Sequence, residues 1–349
     1  MSFQQGLSGL NSSSKALDVL GNNIANANTV GFKSAETHFS DVYANSLTGS
    51  GASQVGIGST ISGIQQTFSQ GNITATNNPL DISINGGGFF RMNRNGDVTF
   101  TRNGQFHLDK QGFIVNDQEM RVMGYQADAN GVIAASSPVD IQLSASQISP
   151  RATSDALAGD IKAALNLDSR QGVPSIGPFD HTNPLTYNYS TALSVYDTLG
   201  VDHTMTMYFE RASTGGPWNV YGTMDGQTPQ AFPAQLVFNS SGVLTTAMPI
   251  TLPQWALTTG ATTPWSPGNI NFTGTSQYGS PSSVDSLDQG GYTTGALTGL
   301  SVGADGVVQG RYSNGQSRNL GQVVLATFAN PNGLQSLGNN QWAMTSVSG

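Results

Sequence analysis

The pentapeptide GLSVG at residues 299–303 places Ser301 in the pattern that serine hydrolases use for a nucleophile at a sharp turn between a strand and a helix. Such a serine needs an acidic residue and then a histidine further along the chain. The residues after Ser301 lead instead into an Asp-Gly turn and another predicted strand, and all four histidines precede it: His38, His107, His181 and His203. We therefore interpret Ser301 as a strand residue and predict no catalytic residue and no enzymatic activity.

Metal and cofactor sites are not indicated by the remaining residue types. The chain has no cysteine, so disulfides and thiolate ligands are excluded, and its histidines and carboxylates show no metal-ligand spacing. The glycines at 86–88 could suggest a phosphate loop, but two phenylalanines follow where a helix N-terminus is required. Close backbone packing or a bulge is the alternative explanation of these glycines. The sequence predicts no metal site and no cofactor.

Three tryptophans, Trp218, Trp255 and Trp265, lie in a middle region that also holds 12 of the 15 prolines, from Pro150 to Pro281. Aromatic rings of this size could form a stacking platform for sugars. An extracellular β-rich adhesin or glycan-binding module is therefore one functional class that the sequence leaves open.

The composition excludes several partners. Only 10% of the residues are charged, against about 25% in ordinary soluble proteins, and the net charge is -8. No basic cluster is present that would neutralise phosphates, so we expect no nucleic-acid partner. No apolar run approaches the roughly 20 residues of a membrane span, and the N-terminus does not resemble a cleaved signal peptide. We predict no membrane partner.

An apolar stripe with helical spacing begins almost at the first residue. Positions 3, 7, 10, 14, 17, 21 and 24 alternate steps of four and three, which is a heptad seam. Ser2 and Gln5 have the spacing of a capping box, which predicts a helix that begins at Ser2. Gly6, Gly9 and Gly21 each weaken this helix by about 1 kcal/mol relative to Ala, so it needs a partner. The residues of the predicted assembly helix are Phe3, Leu7, Leu10, Leu17, Leu20 and Ile24.

Two partners remain open for this helix. It could pack on the core of its own domain, as generic amphipathic helices do, or it could join other subunits. After Ile24 the helical pattern gives way to Asn, Thr and Gly residues that favour turns, and a helix exit is expected there.

The rest of the chain shows strand and turn patterns. Asn95-Gly96, Asn103-Gly104 and Gln111-Gly112 recur every eight residues between short apolar runs, which predicts an antiparallel meander. Residues 300–328 repeat this pattern with Asp305-Gly306 and Asn314-Gly315. In the middle region, alternation over residues 203–210 predicts a strand that pairs with residues 193–196, within a β-barrel or sandwich.

We therefore predict a mainly β, multidomain fold with an N-terminal α-helix. The helix and its loop span residues 1–33, and residues 34–71 form a linker or loose strands, with a Gly/Ser stretch at 48–62. Residues 72–149 and 285–349 form one discontinuous β domain, and residues 150–284 form an inserted β-barrel or sandwich domain.

The stretch LGNNIANANTVGFK at residues 20–33 resembles the N-terminal signature of the bacterial flagellar axial proteins, the rod, hook and hook-associated family. The matching signature residues include Asn22, Asn23, Asn26, Asn28, Gly31, Phe32 and Lys33. Residues 81–125, with INGGGFFRM and VMGY, resemble the core that rod and hook proteins share. Residues 295–349, with LGQVVLATFANPNGL and GNNQW, resemble the hook proteins in particular.

This resemblance implies a structural subunit of the bacterial flagellar hook, which polymerises into a flexible tubular joint that transmits torque from rod to filament. It also implies that the helix lines the inner core and that the inserted domain lies outside. The implied partners are other copies of the chain, the rod and hook–filament junction proteins, the hook cap and the export apparatus. The implied location is the extracellular flagellum, reached without a cleaved signal peptide.

Two further expectations follow from the resemblance. The distal rod protein of the same family is the nearest alternative, although rod proteins resemble only the ends of the chain. The family pattern continues after TSVSG into a C-terminal helix that pairs with the N-terminal one, and this sequence stops at Gly349. We therefore expect the apolar seam to lack that partner within this chain.

Overall fold

The computed structural model describes residues 2–42, 56, 58–143 and 147–349, which divide into two compact units. Unit 1 comprises Met1–Ala145, Thr298–Arg311 and Ser317–Gly349, and unit 2 comprises Ser146–Leu297 and Tyr312–Gln316. Helix α1 is Ser2–Ala25, and 3₁₀ turns occupy Pro184–Thr186 and Pro331–Gly333. The strands are β1 (Ala35–Val42), β2 (Gly58–Gln66), β3 (Phe89–Arg94), β4 (Asp97–Thr101), β5 (His107–Leu108), β6 (Ile114–Val115), β7 (Arg121–Gln126), β8 (Val139–Asp140), β9 (Ile161–Asn166), β10 (Tyr189–Tyr196), β11 (Asp202–Arg211), β12 (Trp218–Met224), β13 (Gln230–Ala231), β14 (Ile250–Thr251), β15 (Asn269–Asn271), β16 (Ser283–Asp288), β17 (Leu297–Val302), β18 (Val307–Tyr312), β19 (Ser317–Val323), β20 (Leu325–Ala326), β21 (Gln335–Gly338) and β22 (Gln341–Ala343).

The predicted fold class, mainly β with an N-terminal helix, is confirmed. The predicted Gly/Ser stretch at 48–62 falls partly on β2, which begins at Gly58, while residues 43–55 and 57 lie outside the described residues. Strands β1 and β2 form an antiparallel pair with a register shift between His38 and Phe39.

The main sheet of unit 1 has the strand order β17-β18-β19-β7-β3-β4-β22-β21, with β5, β6, β8 and β20 paired at its sides. Buried apolar side chains of its strands, including Phe90, Met92, Val122 and Leu320, belong to one core. A smaller aromatic cluster combines Phe89, Phe100 and Trp342. This sheet joins strands from both ends of the sequence.

The predicted meander in residues 95–115 is only partly correct. Asn95-Gly96 joins β3 to β4 with both residues at positive φ, 54° and 99°, and Gln111-Gly112 joins β5 to β6. The prediction for Asn103-Gly104 was wrong, because β4 pairs with β3 and β22 rather than with β5. The Gly104 carbonyl instead accepts the N–H of Ile82 at 2.9 Å, and a Cβ at Gly104 would collide with the Ile82 carbonyl oxygen. Close approach of two backbones explains this glycine.

The second set of turns is confirmed. Asp305-Gly306 joins β17 to β18, and Asn314-Gly315 joins β18 to β19. Ser301 lies within β17, so its assignment as a strand residue is confirmed. Gly86 and Gly88 have φ values of 96° and 111°, and β3 follows them directly. Backbone conformation rather than close packing therefore explains these two glycines.

Unit 2 contains two four-stranded sheets, with orders β10-β11-β12-β13 and β14-β15-β9-β16. The predicted hairpin is present, because Leu193 pairs with Met205 and Tyr196 with Asp202. Apolar side chains from both sheets form one core, as expected for a sandwich. Its fully buried members on β11 are Met205, Met207 and Phe209.

The tryptophans of unit 2 belong to this core. Trp218, Trp255 and Trp265 are 0%, 2% and 4% exposed. A sugar-stacking platform requires exposed ring faces, so the adhesin or glycan-binding alternative loses its supporting residues.

Four loops share an Asx-turn motif, and one of them contains the predicted Gln111-Gly112 turn. Asp109, Asp128, Asp197 and Asn239 each begin a segment with glycine three residues later and Phe or Val after it. In each loop the side-chain Oδ1 accepts the backbone N–H groups two and four residues later, at 2.8–3.0 Å. These Asx turns satisfy their own backbone groups and fix the ends of the neighbouring strands.

Candidate assembly surface

Helix α1 directs its apolar residues toward solvent. We call these six residues the outer stripe; Phe3 is 83% exposed, and even the least exposed member, Leu7, is 48% exposed. The members are Phe3, Leu7, Leu10, Leu17, Leu20 and Ile24. At about 100° per residue they occupy one side of the helix, together with Gly6 and Gly21.

The opposite side of α1 packs on the β1–β2 hairpin through small and polar residues. The Gln5 side chain donates to the Gly56 carbonyl at 2.6 Å, and the buried Ser12 hydroxyl donates to the Ser59 carbonyl at 3.3 Å. Ser8 lies so close to Gly58 that a Cβ there would collide with the serine hydroxyl. The predicted capping box involves Ser2, whose side chain lies outside the described residues. Helix α1 therefore buries its polar face and exposes its apolar face.

The signature loop, residues 22–33, begins with an amide clamp. Asn23 Nδ2 donates to the Ala35 carbonyl at 2.9 Å, and the Ala35 N–H donates to Asn23 Oδ1 at 3.0 Å. Asn26 Nδ2 donates to the carbonyl and side-chain oxygens of Asn22, and Thr29 donates to Asn26 Oδ1. These bonds end α1 and hold the following turn against the start of β1. Asn28 is exposed.

The end of the signature loop contacts the main sheet. Gly31 has a φ of 76°, and a Cβ there would lie 2.7 Å from the backbone nitrogen of Asn103. Asn340 Nδ2 donates to the Val30 carbonyl at 2.9 Å. Gly31 is therefore required for both its backbone conformation and its close contact.

A polar cleft of about 230 Å³ lies beside the signature loop, between α1 and the segment after β2. Lys33 Nζ donates to the Ser69 carbonyl at 2.6 Å. Burial and, to a smaller extent, the Arg102 charge lower the pKa of Lys33. The other lining residues include amide and hydroxyl side chains and Phe32: Asn23, Asn26, Thr29, Phe32, Thr67, Ser69 and Gln70.

The structure thus brings the predicted signature residues together and adds contacts that sequence reasoning missed. Asn103, Arg102 and Asn340 lie far from the signature in sequence, and no spacing pattern connects them to it. Among the described residues, no three His, Asp or Glu side chains gather as metal ligands. Within the described residues, no helix is long and apolar enough to cross a membrane.

Comparison with known proteins identifies the family. The flagellar hook protein FlgE of Salmonella typhimurium is 37% identical over 358 aligned positions, which cover 100% of this chain and 85% of that protein. The chain belongs to the flagellar hook protein FlgE family. The Escherichia coli hook protein is 35% identical with the same coverage, and that of Borreliella burgdorferi is 28% identical.

Family models and a solved structure agree with hook-protein membership. Residues 3–33 match the flagella basal body rod protein model, residues 83–154 the FlgE/F/G D1 domain, and residues 166–292 the flagellar basal body protein FlaE D2 domain. The crystal structure of Helicobacter pylori flagellar hook protein FlgE2 has a similar fold, with a TM-score of 0.55 at 13% identity. The structural match covers 76% of this chain and 93% of the Helicobacter pylori chain.

As a member of the hook-protein family, the chain is a structural subunit of the flagellar hook that self-assembles within the flagellum, and it is not an enzyme. The predicted identity and function are confirmed. The full-length hook relatives also favour the hook protein over the distal rod protein, the nearest alternative.

Proposed function

We propose that the outer stripe of α1 is the surface through which hook subunits join into a helical homopolymer. The observation that supports this is the inverted burial of α1, whose apolar side chains are 48–83% exposed. Burying one such side chain contributes about 1.5–3 kcal/mol, so a neighbouring copy that covers the stripe would gain a large favourable term. Head-to-tail contacts of this kind extend into tubes because they do not close on themselves.

The test replaces two stripe residues in the full chain. Leu10→Asn combined with Leu17→Asn should abolish hooks in a strain that lacks its own hook protein, as counted by electron microscopy. Leu157→Asn combined with Leu185→Asn is the matched control, because these leucines of unit 2 are also 60% and 58% exposed. The purified variant with Leu10→Asn and Leu17→Asn should keep the melting temperature of the unsubstituted chain. Normal hook numbers with the stripe variant would contradict the proposal.

Hydrogen exchange gives a second, direct readout. Backbone amides of residues 7–24 should exchange rapidly in the monomer and slowly in isolated hooks, since only the assembled form covers the stripe. Strong protection in the monomer would favour the core-helix alternative.

We further propose that the polymer is a flexible tubular joint that transmits torque from rod to filament. In this proposal, its neighbours are the rod and hook–filament junction proteins, and the hook cap and export apparatus act during growth. The subunit would reach the extracellular flagellum without loss of a signal peptide. N-terminal sequencing of subunits from isolated hooks should then begin at Met1 or Ser2 rather than at a residue further along the chain.

The domain organisation is also a proposal. Residues 1–33 would form the assembly segment, 34–71 its connection, and 72–149 with 285–349 a discontinuous domain around an inserted outer domain at about 150–284. The self-contained apolar core of unit 2 supports independent folding of the insertion. A fragment covering residues 146–297 should show dispersed methyl signals and cooperative melting, and a molten spectrum would argue against it.

A further inference from the structure

Lys33 and Arg102 are two cations beside the signature loop, and Lys33 lines the polar cleft described above. Burial and the neighbouring Arg102 charge both lower the pKa of Lys33, and burial also lowers the pKa of Arg102. Gly31 packs directly on the backbone of Arg102 and Asn103, so the chain segments that carry the two cations are in contact.

The hydrogen bonds of the pair go to neutral oxygens. Lys33 donates to the Ser69 carbonyl, and Arg102 Nη1 donates to the Gly86 carbonyl at 2.8 Å. The Arg102 guanidinium also lies over the Phe89 ring, 5.1 Å from its centroid, and its Nε is buried with no hydrogen-bond partner. In the part of the chain that the structure describes, neither cation forms an ion pair, although Lys15, Arg121 and Arg170 do.

Anionic partners are abundant on the same chain. The sequence has 21 acidic and 13 basic residues, so a copy of the chain offers more carboxylates than its own cations can neutralise. Two half-buried cations without a counter-charge are unfavourable in the monomer, and charge-assisted hydrogen bonds to a carboxylate would reverse this. The polar cleft beside Lys33 has room for such a side chain, and polar side chains line its walls.

We propose that the polar cleft at Lys33 receives an Asp or Glu side chain from a neighbouring copy of the chain. This inference rests on the proposed assembly and adds a second, polar contact to the apolar outer stripe. It makes the signature loop part of the interface rather than only the end of α1.

Carbodiimide coupling on isolated hooks tests the contact. The reagent activates a carboxylate as an O-acylisourea, the neutral Lys33 amine attacks the acyl carbon, the urea leaves and a proton is released, so that an amide joins the two side chains. Peptide mass spectrometry of the covalent dimer from hooks should find Lys33 joined to an Asp or Glu. The Lys33 linkage should be absent from chains that stay single when hooks are treated. It should also be absent from monomer treated with the same reagent.

Variants separate this contact from a structural role. Lys33→Gln should reduce hook yield by about tenfold or more, as expected for lost charge-assisted bonds, while the melting temperature of the monomer stays equal or rises. Lys33→Arg should retain hooks but lose the coupled product, because a guanidinium does not form the amide. Lys110→Gln, at an exposed lysine, is the matched control.

The outcomes distinguish this inference from the proposed function. Hooks that form normally from the Lys33→Gln variant, or intermolecular linkage that never includes Lys33, would overturn the cleft contact and leave assembly through the outer stripe intact. A lowered melting temperature of the Lys33→Gln monomer would assign Lys33 a structural role and likewise overturn it. The outer-stripe variants are tested by counting hooks, so their result does not depend on the coupling experiment.

Discussion

Helix α1 and the core of unit 2 use the same apolar residue types in opposite ways. On β11, Phe209 is 0% exposed, whereas Phe3 of α1 is 83% exposed. Polar groups are buried in both regions: α1 buries the hydroxyl of Ser12 against the hairpin, and unit 2 buries His203 beside the carboxylate of Asp225. The difference teaches that periodicity identifies an apolar face, but only the surrounding structure determines whether that face is covered within the chain.

A matched pair of Phe→Ala substitutions tests this contrast with the largest expected effect. Phe209→Ala should lower the free energy of unfolding of unit 2 by about 3–5 kcal/mol, because it leaves a cavity in a close-packed core. Phe3→Ala should change the stability of the monomer by less than about 0.5 kcal/mol, since it removes few contacts. Denaturant unfolding followed by circular dichroism measures both. Equal losses would show that α1 is covered within the chain.

The histidine cluster of unit 2 predicts a pH-dependent stability that α1 does not share. His203 is buried between Asp225 at 2.6 Å and Asp197 at 3.3 Å, and Asp197 also accepts the Thr259 hydroxyl at 2.7 Å. The Trp265 ring packs 6.1 Å away. A neutral imidazole donates only one hydrogen bond, so both carboxylates are satisfied only by the charged form.

The direction of the pH effect follows from these contacts. Burial alone would lower the pKa of His203, but the two carboxylates outweigh it and raise the pKa above 6.5. The resulting stabilisation is complete below about pH 6.5 and is lost as pH rises through the folded-state pKa. His203→Gln should destabilise unit 2 by about 1–3 kcal/mol at pH 6 and flatten this decline. Unfolding from pH 6 to 9 measures it, with the exposed His107→Gln as control; an unchanged pH profile would contradict the charged form.

At the junction between α1 and the sheet, Gly31 provides a test of intermediate size. Gly31→Ala should destabilise unit 1 by about 1–3 kcal/mol, because the φ of 76° disfavours a side chain and the new Cβ would meet the Asn103 backbone. Gly71→Ala is the control, since no atom lies within 4 Å of the position that its Cβ would take and its φ is ordinary. Increased hydrogen exchange of residues 22–33 in the Gly31 variant alone would localise the effect.

The smallest prediction has the opposite sign. Gly6 lies in the exposed part of α1 with no atom within 4 Å of where a Cβ would be. Gly6→Ala should therefore increase helicity and stabilise α1 by up to about 1 kcal/mol. Far-ultraviolet circular dichroism of the monomer measures the gain. A loss of helicity would mean that the glycine makes a packing contact within the chain.

Local patterns predicted the elements that depend on neighbouring residues. The spacing of the outer stripe gave the extent of α1, and the alternation around Met205 gave the β10–β11 hairpin. Asn103-Gly104 was misassigned because Gly104 is required by its close contact with the Ile82 backbone, and Ile82 is distant in sequence. The cleft at Lys33 was missed for the same reason, since Lys33 meets Ser69, which lies 36 residues away in sequence. A period within a short window carries no information on such contacts.

The main sheet of unit 1 has a kinetic consequence. Strand β19 pairs with β7, and Asn340 bonds to Val30, a separation of 310 residues. The entropy of closing so long a loop must be lost before its contacts can stabilise the fold. This loss slows folding. The hairpins of unit 2 lie close together in sequence and should form first during synthesis. Unit 1 would therefore remain incomplete until its last strands emerge, and a nascent chain arrested before residue 317 should carry a folded insertion within two unfolded flanks.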